Sequence, residues 1–434
     1  MEILEFLQIY QKHPLVKELS EWIRNRKGNL AVDGLHGSSR SLLLASLHLL
    51  QSHNLLVVMD NEDDAAYCYH DLSQLFDRND IAYFPSAYRN VHKHGATDDA
   101  NEILRADTLA RLQQQTPVVV VTFPDALTEK VVASNGFNEA KIELAVGNVV
   151  SVSELVERLD GYGFQQMDFV YEPGQYSLRG SILDIFSFAN EQPYRLDFFG
   201  DEIESIRTFD IEKQLSVEKQ QKITIVPNID TIDGELVSLL EFADKAKTIL
   251  YLRNSMQLRE RIDMVYDEAL VKANQYASTT DMTHRLMTGD DYLAQISQFR
   301  CITEGKSSVK TSKTISFNQL PQPLFHKNFD LVTNSLSRYL GEQYIIYIAS
   351  DSKKQTDRIA AIFKDRGDYL PFNSVLKTLH EGFIDHDLKC CFFTDHQIFD
   401  RYHKFALKSD SARSGKVAMT LKELNQFRVG DYVV

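Results

Sequence analysis

The segment Asn29–Gln51, NLAVDGLHGSSRSLLLASLHLLQ, decides the fold of the amino-terminal part of this 434-residue chain. It opens with a short apolar run, passes through a turn rich in glycine and serine, and continues as an apolar stretch of helical character. A buried strand, a tight turn and a helix in this order form the first unit of an α/β domain. The segment therefore predicts a parallel sheet whose first strand lies here.

The turn Gly34–Ser41, GLHGSSRS, follows the pattern of a phosphate-binding loop, G-x-x-x-x-G-K-[ST]. The first glycine and the final hydroxyl are kept, but Ser39 replaces the second glycine and Arg40 replaces the lysine. Ser39 adds bulk where backbone amides wrap a phosphate. The planar guanidinium of Arg40 does not fit where a slim ammonium group does. The substitutions therefore indicate that the loop has lost its ligand.

A working phosphate loop also needs an acidic residue at a strand end, which holds Mg²⁺. The natural strand is Val118–Val121, and the residue straight after it is Thr122. We therefore expect a degenerate loop that keeps the fold without binding a nucleotide, formed by Gly34, Gly37, Ser39, Arg40 and Ser41.

The rest of the chain alternates between two patterns. Near-continuous apolar runs separated by helical segments fill the first 122 residues and predict a doubly wound α/β domain. Hairpin signals at Pro173-Gly174 and Gly200-Asp201, without crossover helices, predict an α+β insertion. We divide the chain into a degenerate nucleotide-binding domain (1–122), an inserted α+β domain (123–212), the return of the first domain (213–315), a small α/β domain (316–412) and a linker with the start of a further domain (413–434).

Composition narrows the possible functions. The formal net charge of −14 gives the chain no general attraction for nucleic acid. No apolar run approaches the ~18 residues that would span a membrane, and the amphipathic amino terminus does not resemble a signal peptide, so we expect a cytoplasmic protein. The cysteines have no metal-binding spacing, and we expect them to be reduced and packed: Cys68, Cys301, Cys390 and Cys391.

Two further patterns suggest chemistry but have simpler explanations. The sequence DEAL, Asp267–Leu270, matches a helicase motif in letters. The apolar residues around it recur at helical spacing, which puts Asp267 on a solvated helix face: Leu258, Ile262, Val265 and Ala269. His92 and His94, and the run Asp385–Asp387 (DHD), lack the spacing of a metal site, and we expect no metal.

The strand predicted within Gly174–Phe186, GQYSLRGSILDIF, is the best candidate for a binding surface. Its side chains alternate, so that Tyr176 lies on one face and Arg179 on the other. An arginine and aromatic residues on an exposed strand are good anchors for a protein partner. The alternative, which spacing alone favours, is that Arg179 pairs with Asp184 or a nearby glutamate on a solvated sheet face.

Four stretches of the sequence resemble a known family. They are YEPGQYSLRGSILDIF (171–186), RLDFFGDEIESIRTFD (195–210), TDHQIFDRY (394–402) and LKELNQFRVGDYVV (421–434). They resemble the amino-terminal region of the bacterial transcription-repair coupling factors, Mfd. The first two are shared in outline with the nucleotide-excision repair protein UvrB. The last resembles the start of the RNA polymerase-interacting domain of the family, cut short.

The resemblance implies a multi-domain α/β fold. It consists of a helicase-like parallel-sheet domain that has lost nucleotide binding, an inserted α+β domain that binds UvrA, and a third small α/β domain. Arg179 matches the arginine of the family motif R-G-x-x-x-D-[IL]-F, and Phe186 matches its closing phenylalanine. Two basic positions of UvrB fall on other residue types here. The expected UvrA surface comprises Arg179, Phe186, Tyr176, Arg195, Gln166 and Ser177.

The sequence thus predicts a non-catalytic UvrB-like module that recruits UvrA to a stalled RNA polymerase. ATP and Mg²⁺ are expected only in translocase domains outside this chain, which also contact RNA polymerase and double-stranded DNA. The alternative is an ATP-binding, helicase-like domain that acts on damaged DNA. We also expect Arg179→Glu to cost no more than ~0.5 kcal/mol of stability, because an exposed strand position is tolerant of substitution.

Overall fold

A computed structural model describes residues 1–25, 28–76, 78–87, 99–190, 192–275 and 283–401; His92, His94 and the segment beyond residue 401 lie outside the described residues. The helices are α1 (Ile3–Tyr10), α2 (Pro14–Asn25), α3 (Ser39–Leu50), α4 (Glu62–Leu75), α5 (Asp99–Leu112), α6 (Pro124–Thr128), α7 (Ser134–Ala140), α8 (Val152–Gly161), α9 (Leu239–Phe242), α10 (Ser255–Gln275), α11 (Gly289–Ile296), α12 (Phe329–Gly341), α13 (Lys353–Asp365) and α14 (Asp395–Ile398).

The strands belong to three large sheets and two short pairs. In chain order they are β1 (Leu30–Asp33), β2 (Asn54–Val58), β3 (Ile81–Tyr83), β4 (Val119–Thr122), β5 (Val131–Val132), β6 (Ile142–Ala145), β7 (Gln165–Gln166), β8 (Gln175–Arg179), β9 (Ile182–Ile185), β10 (Tyr194–Phe199), β11 (Glu202–Phe209), β12 (Ser216–Gln220), β13 (Lys222–Ile225), β14 (Leu236–Val237), β15 (Thr248–Arg253), β16 (Arg300–Glu304), β17 (Lys313–Ser316), β18 (Gln319–Pro321), β19 (Ile345–Ser350), β20 (Asn373–Leu376), β21 (Phe383–Asp385) and β22 (Cys390–Thr394).

The first sheet has seven strands in the order β17-β1-β16-β15-β2-β4-β3. Every neighbouring pair is parallel, which confirms the predicted α/β class. Strands β15, β16 and β17 come from the chain after the insertion, and two of them flank β1. The turn after β1 therefore lies at the carboxyl edge of a sheet assembled from distant segments, where ligands of such folds bind.

The second large sheet, hereafter the inserted sheet, has the order β12-β11-β10-β9-β8-β7. Its strands are antiparallel, except that β7 runs parallel to β8. The sheet includes β12 and so extends beyond the predicted boundary at residue 212, because Ser216–Gln220 pairs with β11. One face buries apolar residues in the main core, among them Tyr176, Leu183 and Leu196. The opposite face is polar.

The carboxy-terminal unit, β18 to α14, has a five-stranded sheet in the order β18-β21-β22-β19-β20. Helix α1, from the other end of the sequence, packs on this sheet. The ring of Phe6 lies 4.8 Å from Tyr347 and 4.6 Å from Phe392, measured between ring centroids. Tyr10 approaches Phe383 edge-on at 6.2 Å. One apolar core therefore runs from the seven-stranded sheet into the carboxy-terminal unit.

Several smaller predictions are confirmed. Helix α10 buries the four apolar residues that were expected to define its inner face, and Asp267 is exposed, so the DEAL sequence is part of a solvated helix. The four cysteines are free and buried. Within the described ranges, no helix has both the length and the apolar character needed to cross a lipid bilayer.

Candidate functional site

Strand β8 holds Arg179 at the outer face of the inserted sheet, on the side opposite the main core. Ser177, Asp184 and Arg195 form a row across this face, because they are in register on three neighbouring strands. Arg207 continues the row beyond Arg195. Such alignment follows from the period of two along each strand, which puts alternate residues on one face. The outer face is therefore a surface of polar and charged side chains.

Two arginines bind one buried carboxylate on this face. Asp184 is fully buried, and it accepts hydrogen bonds from Arg179 Nη2 at 2.6 Å, Arg195 Nε at 2.7 Å and Arg195 Nη2 at 2.9 Å. Arg179 also donates to the Asp168 carbonyl oxygen at 2.7 Å. The spacing-based alternative, an Arg179–Asp184 ion pair, is thus confirmed. Arg179 nevertheless keeps 34% of its side chain exposed, so one part of it reaches solvent.

Positive charge extends along the outer face beyond these two arginines. Arg207 pairs with Asp197, and Lys219 lies opposite Arg207 in register on the exposed strand β12. The face carries basic side chains at Arg179, Arg195, Arg207 and Lys219 against acidic ones at Asp184 and Asp197. In a chain of net charge −14 this is a local basic surface, suited to an acidic partner.

An exposed apolar group borders Arg179, and no sequence pattern predicts it. The guanidinium carbon of Arg179 lies 4.8 Å from the ring centroid of Phe169, whose side chain is 46% exposed. Met167 and Leu178 are also exposed nearby in the same edge of the sheet. Phe169 and Met167 belong to the loop between β7 and β8, where no alternation marks the outward side. An aromatic ring beside an arginine is the composition typical of binding hot spots.

Three of the expected surface residues have buried side chains: Tyr176, Ser177 and Phe186. Tyr176 is buried and donates to Asp160 Oδ1 at 2.8 Å. Ser177 is buried and donates to the Asp168 carbonyl oxygen. Phe186 is fully buried in a small apolar cluster beneath the outer face, with Val170, Phe209 and Ile211. These residues support the strand, whereas Arg179 and Gln166 remain accessible.

The predicted phosphate loop has the expected strand–turn–helix geometry. It joins β1 to α3, and Ser38 is the N-cap residue of the helix. Gly34 and Gly37 have φ values of +72° and +53°, a region that glycine adopts with least strain. The turn therefore has the order of elements that the sequence pattern predicts, with glycine at both positions of positive φ.

Arg40 does not point its charge toward a phosphate position. Its guanidinium makes a bidentate ion pair with Glu304, and the same carboxylate accepts a hydrogen bond from the Tyr251 hydroxyl at 2.6 Å. Burial alone would raise the pKa of Glu304, but Arg40 and Tyr251 more than offset it and hold that pKa below its usual range. The positive charge of Arg40 is consequently paired with a carboxylate of the same chain.

The strand that was expected to supply an acidic partner is the wrong one. Strand β4, which ends at Thr122, is separated from β1 by β16, β15 and β2. The neighbours of β1 are β17 and β16, and β16 ends at Glu304. Sequence reasoning missed Glu304 because strand order, and not order along the chain, decides which strand ends meet.

Three backbone amides of the loop have acceptors within the protein. The Gly34 N–H donates to Asp33 Oδ1 at 2.8 Å, and the Ser39 N–H donates to the His36 carbonyl at 3.2 Å. The Ser38 N–H donates to the carbonyl oxygen of Glu381 in the carboxy-terminal unit at 3.0 Å. These are groups that would otherwise bind phosphate oxygens.

A buried carboxylate joins the loop to the same distant segment. Asp71 of α4 accepts hydrogen bonds from Ser41 Oγ at 3.1 Å and from the His380 N–H at 2.7 Å. Burial raises the pKa of Asp71 to about 7, although hydrogen bonds from Ser38, His380 and Ser41 act in the opposite direction. The Asp71 carboxylate therefore titrates near neutral pH and contacts both parts of the molecule.

One group of potential metal ligands is present among the described residues: His13, Asp385 and Asp387. The Nδ1 atom of His13 accepts a hydrogen bond from the Leu15 N–H at 3.0 Å, so a neutral ring carries its proton on Nε2. That Nε2 lies 3.4 Å from Asp385 Oδ2. The arrangement is that of a donor facing a carboxylate, and it places no lone pair toward a metal.

The comparisons with known proteins agree with the resemblance seen in the sequence. Residues 142–230 match the family model of the UvrB interaction domain. The chain is 21% identical over 487 residues to the transcription-repair-coupling factors of Staphylococcus aureus strains USA300 and NCTC 8325, and 21% identical over 485 residues to that of Staphylococcus haemolyticus. Each match covers 94% of this chain, and the chain spans 41% of the length of these relatives. The chain is therefore similar along nearly its whole length to transcription-repair-coupling factors, as its motifs predict, and it carries a UvrB interaction domain.

Proposed function

We propose that this chain is the UvrB-like module of a transcription-repair coupling factor, and that it recruits UvrA to a stalled RNA polymerase without catalysis of its own. The module comprises the helicase-like domain, the inserted domain, whose sheet extends to Gln220, and the third α/β domain, and it acts in the cytoplasm. ATP turnover, RNA polymerase contact and translocation on double-stranded DNA belong to parts of the protein outside this chain.

The observation that carries the proposal is the exposed pair of Arg179 and Phe169 within the matched domain. The pair combines a cation with an aromatic ring, and it lies near the edge of the inserted sheet that strand β7 forms. Asp184 and the Asp168 carbonyl hold the guanidinium in place, so little conformational freedom remains to be lost on binding. A carboxylate of UvrA could complete the coordination of Arg179 from the solvent side.

Binding of purified UvrA to the immobilised chain tests the proposal. Arg179→Ala and Phe169→Ala should each weaken binding at least tenfold, about 1.4 kcal/mol. Arg366→Ala is the matched control, because Arg366 is similarly exposed, at 37%, and pairs with Asp330 on another part of the surface. It should bind UvrA like the parent. Parental binding by both Arg179→Ala and Phe169→Ala would contradict this placement of the surface.

Charge reversal at Arg179 needs a separate stability measurement. Arg179→Glu should weaken UvrA binding at least thirtyfold, about 2 kcal/mol. It also places a second carboxylate beside the buried Asp184, so the expected cost of ~0.5 kcal/mol or less is too low for this site. Arg179→Ala is the cleaner variant, since Arg195 still donates two hydrogen bonds to Asp184. Arg195 is the more enclosed of the two arginines, and Arg195→Glu should act mainly on stability.

The alternative, an ATP-binding helicase-like domain, has less support. Arg40 is engaged by Glu304, and the Ser38 amide is engaged by Glu381. Isothermal titration of the chain with Mg-ATP should give no measurable heat of binding. Micromolar affinity or magnesium-dependent turnover would favour the alternative.

A further inference from the structure

The carboxy-terminal unit places one short segment against the degenerate phosphate loop. The docking segment, residues 378–382 (TLHEG), connects β20 to β21. Its backbone meets Ser38 in a reciprocal pair of hydrogen bonds. The Ser38 N–H donates to the Glu381 carbonyl at 3.0 Å, and the Glu381 N–H donates to Ser38 Oγ at 2.9 Å. The His380 N–H adds the third contact, to Asp71.

The backbone of the loop at Gly37 contacts the backbone of the docking segment so closely that no side chain fits between them. A Cβ atom added to Gly37 would lie 2.6 Å from the carbonyl oxygen of Gly382 and 3.0 Å from that of Glu381. The ring of His380 stacks on Tyr67 of α4, with ring centroids 3.5 Å apart and planes inclined by 15°. The glycine that would let a loop approach a phosphate here lets it approach another stretch of the same chain.

The docking segment is equally fixed on its other side. The Gly382 N–H donates to Gln397 Oε1 at 2.7 Å, and His396 Nε2 lies 2.7 Å from the His380 carbonyl oxygen. Both partners belong to α14 of the carboxy-terminal unit. The segment is thus anchored in one unit and seated in the other.

From this we propose that the degenerate phosphate loop is the docking site of the carboxy-terminal unit. The backbone of residues 380–382 occupies the face of the loop that a phosphate would need. The loop binds a segment of the same chain in place of a ligand. Nucleotides are therefore excluded for two reasons: the docking segment fills the site, and Ser39 and Arg40 replace the glycine and lysine of the consensus. The loop also helps to fix the position of the carboxy-terminal unit.

Hydrogen exchange of a peptide covering residues 378–382 tests the docking. Gly37→Ala introduces a methyl group against the segment, and exchange there should rise at least tenfold. Gly200→Ala is the control for backbone strain. Gly200 has φ +62°, close to the +53° of Gly37, but a Cβ added there meets nothing within 4 Å. It should leave exchange in the segment unchanged.

Ser38→Ala keeps the test decisive if Gly37→Ala does not fold. It removes the acceptor of the Glu381 N–H and the hydrogen bond from the Ser38 hydroxyl to Asp71, and exchange in the docking segment should again rise at least tenfold. Exchange at the parental rate in folded Ser38→Ala would overturn the docking.

A variant with the consensus phosphate-loop sequence tests whether the docking segment excludes nucleotides. The double variant Ser39→Gly with Arg40→Lys restores the phosphate-loop consensus while the docking segment stays in place. Isothermal titration with Mg-ATP should still show no binding. Binding with a Kd below about 1 mM, some 4 kcal/mol, would overturn exclusion by occupation.

Discussion

Arg40 donates to both carboxylate oxygens of Glu304, with 2.6 Å from Nε to Oε2 and 2.6 Å from Nη2 to Oε1. The two residues are 264 positions apart in the sequence, and both side chains are largely buried. The pair joins the first turn of α3 to the end of β16, two segments that the insertion separates. Arg40, which stands at the lysine position of the phosphate-loop sequence pattern, therefore has a structural partner.

Arg40→Ala should lower the free energy of unfolding by about 3–5 kcal/mol, because it leaves Glu304 buried without its cation. The pKa of Glu304 is held low in the parent, so the stabilisation is present above the unfolded pKa and is lost as the pH falls. The deficit of the variant should consequently be larger at pH 7 than at pH 3, because a lowered pKa gives a stabilisation that is lost only below the ordinary value of 4.5. Urea denaturation at both values measures it. Arg366→Ala, at a more exposed ion pair, is the control, and an equal loss in both variants would contradict the prediction.

Asp71→Asn should make stability less dependent on pH. Burial raises the pKa of Asp71 to about 7, above the unfolded value near 3.8. Its contribution to stability is therefore complete below about pH 4 and is lost as the pH rises through 7. The parent should lose stability between about pH 4 and pH 7, and the variant should lose less. Asp290→Asn, at an exposed position, should follow the parent. Equal pH dependence in parent and Asp71→Asn would refute the assignment.

Asp184→Ala should destabilise the inserted domain by about 2–4 kcal/mol, since it leaves two arginines on the outer face without their shared carboxylate. Solvent reaches both guanidinium groups in part, so the cost should lie below that of a fully buried pair. Urea denaturation compared with Glu202→Ala, an exposed residue of the same sheet, measures the effect. A change below about 0.5 kcal/mol would mean that the arginines do not depend on Asp184.

Duplex DNA should bind this chain weakly. The basic outer face is small, and the net charge of −14 opposes association at long range. Fluorescence anisotropy with a lesion-bearing duplex should give a Kd weaker than about 10⁻⁵ M at ~0.15 M salt. Tighter binding that persists above this salt concentration would contradict the expectation.

The parts of the fold that the sequence predicted are those that local pattern controls. The strand, turn and helix at Asn29–Gln51 and the inner face of α10 follow from apolar periodicity alone. The Arg179–Asp184 pair follows from a hairpin whose turn at Gly180 joins β8 to β9. In these cases the contacts are between neighbours in the chain, and spacing is sufficient.

Non-local contacts escaped the same reasoning. Glu304 reaches Arg40 only because β16 pairs with β1, and Glu381 reaches Ser38 across 343 residues. The burial of Phe186 depends on the loops that cover it, where Val170 and Ile211 complete the cluster. Phe169 is exposed at a loop position with no periodic signal. The order in which strands pair and the burial of a residue by loops are properties of the tertiary structure, and local sequence patterns do not predict them.

Helix α1 packs Phe6 and Tyr10 against Phe383 and Phe392, about 380 residues further along the chain, and this distance shapes how the protein is made. At ~5–20 residues per second, a ribosome needs roughly 20–80 s to pass from one partner to the other. During that interval Phe6 and Tyr10 lack these two aromatic partners. Its aromatic residues are then available to chaperones or to neighbouring nascent chains. Substitutions that make Phe6 or Tyr10 polar should thus reduce contact of the nascent chain with chaperones and other nascent chains, while they destabilise the folded protein.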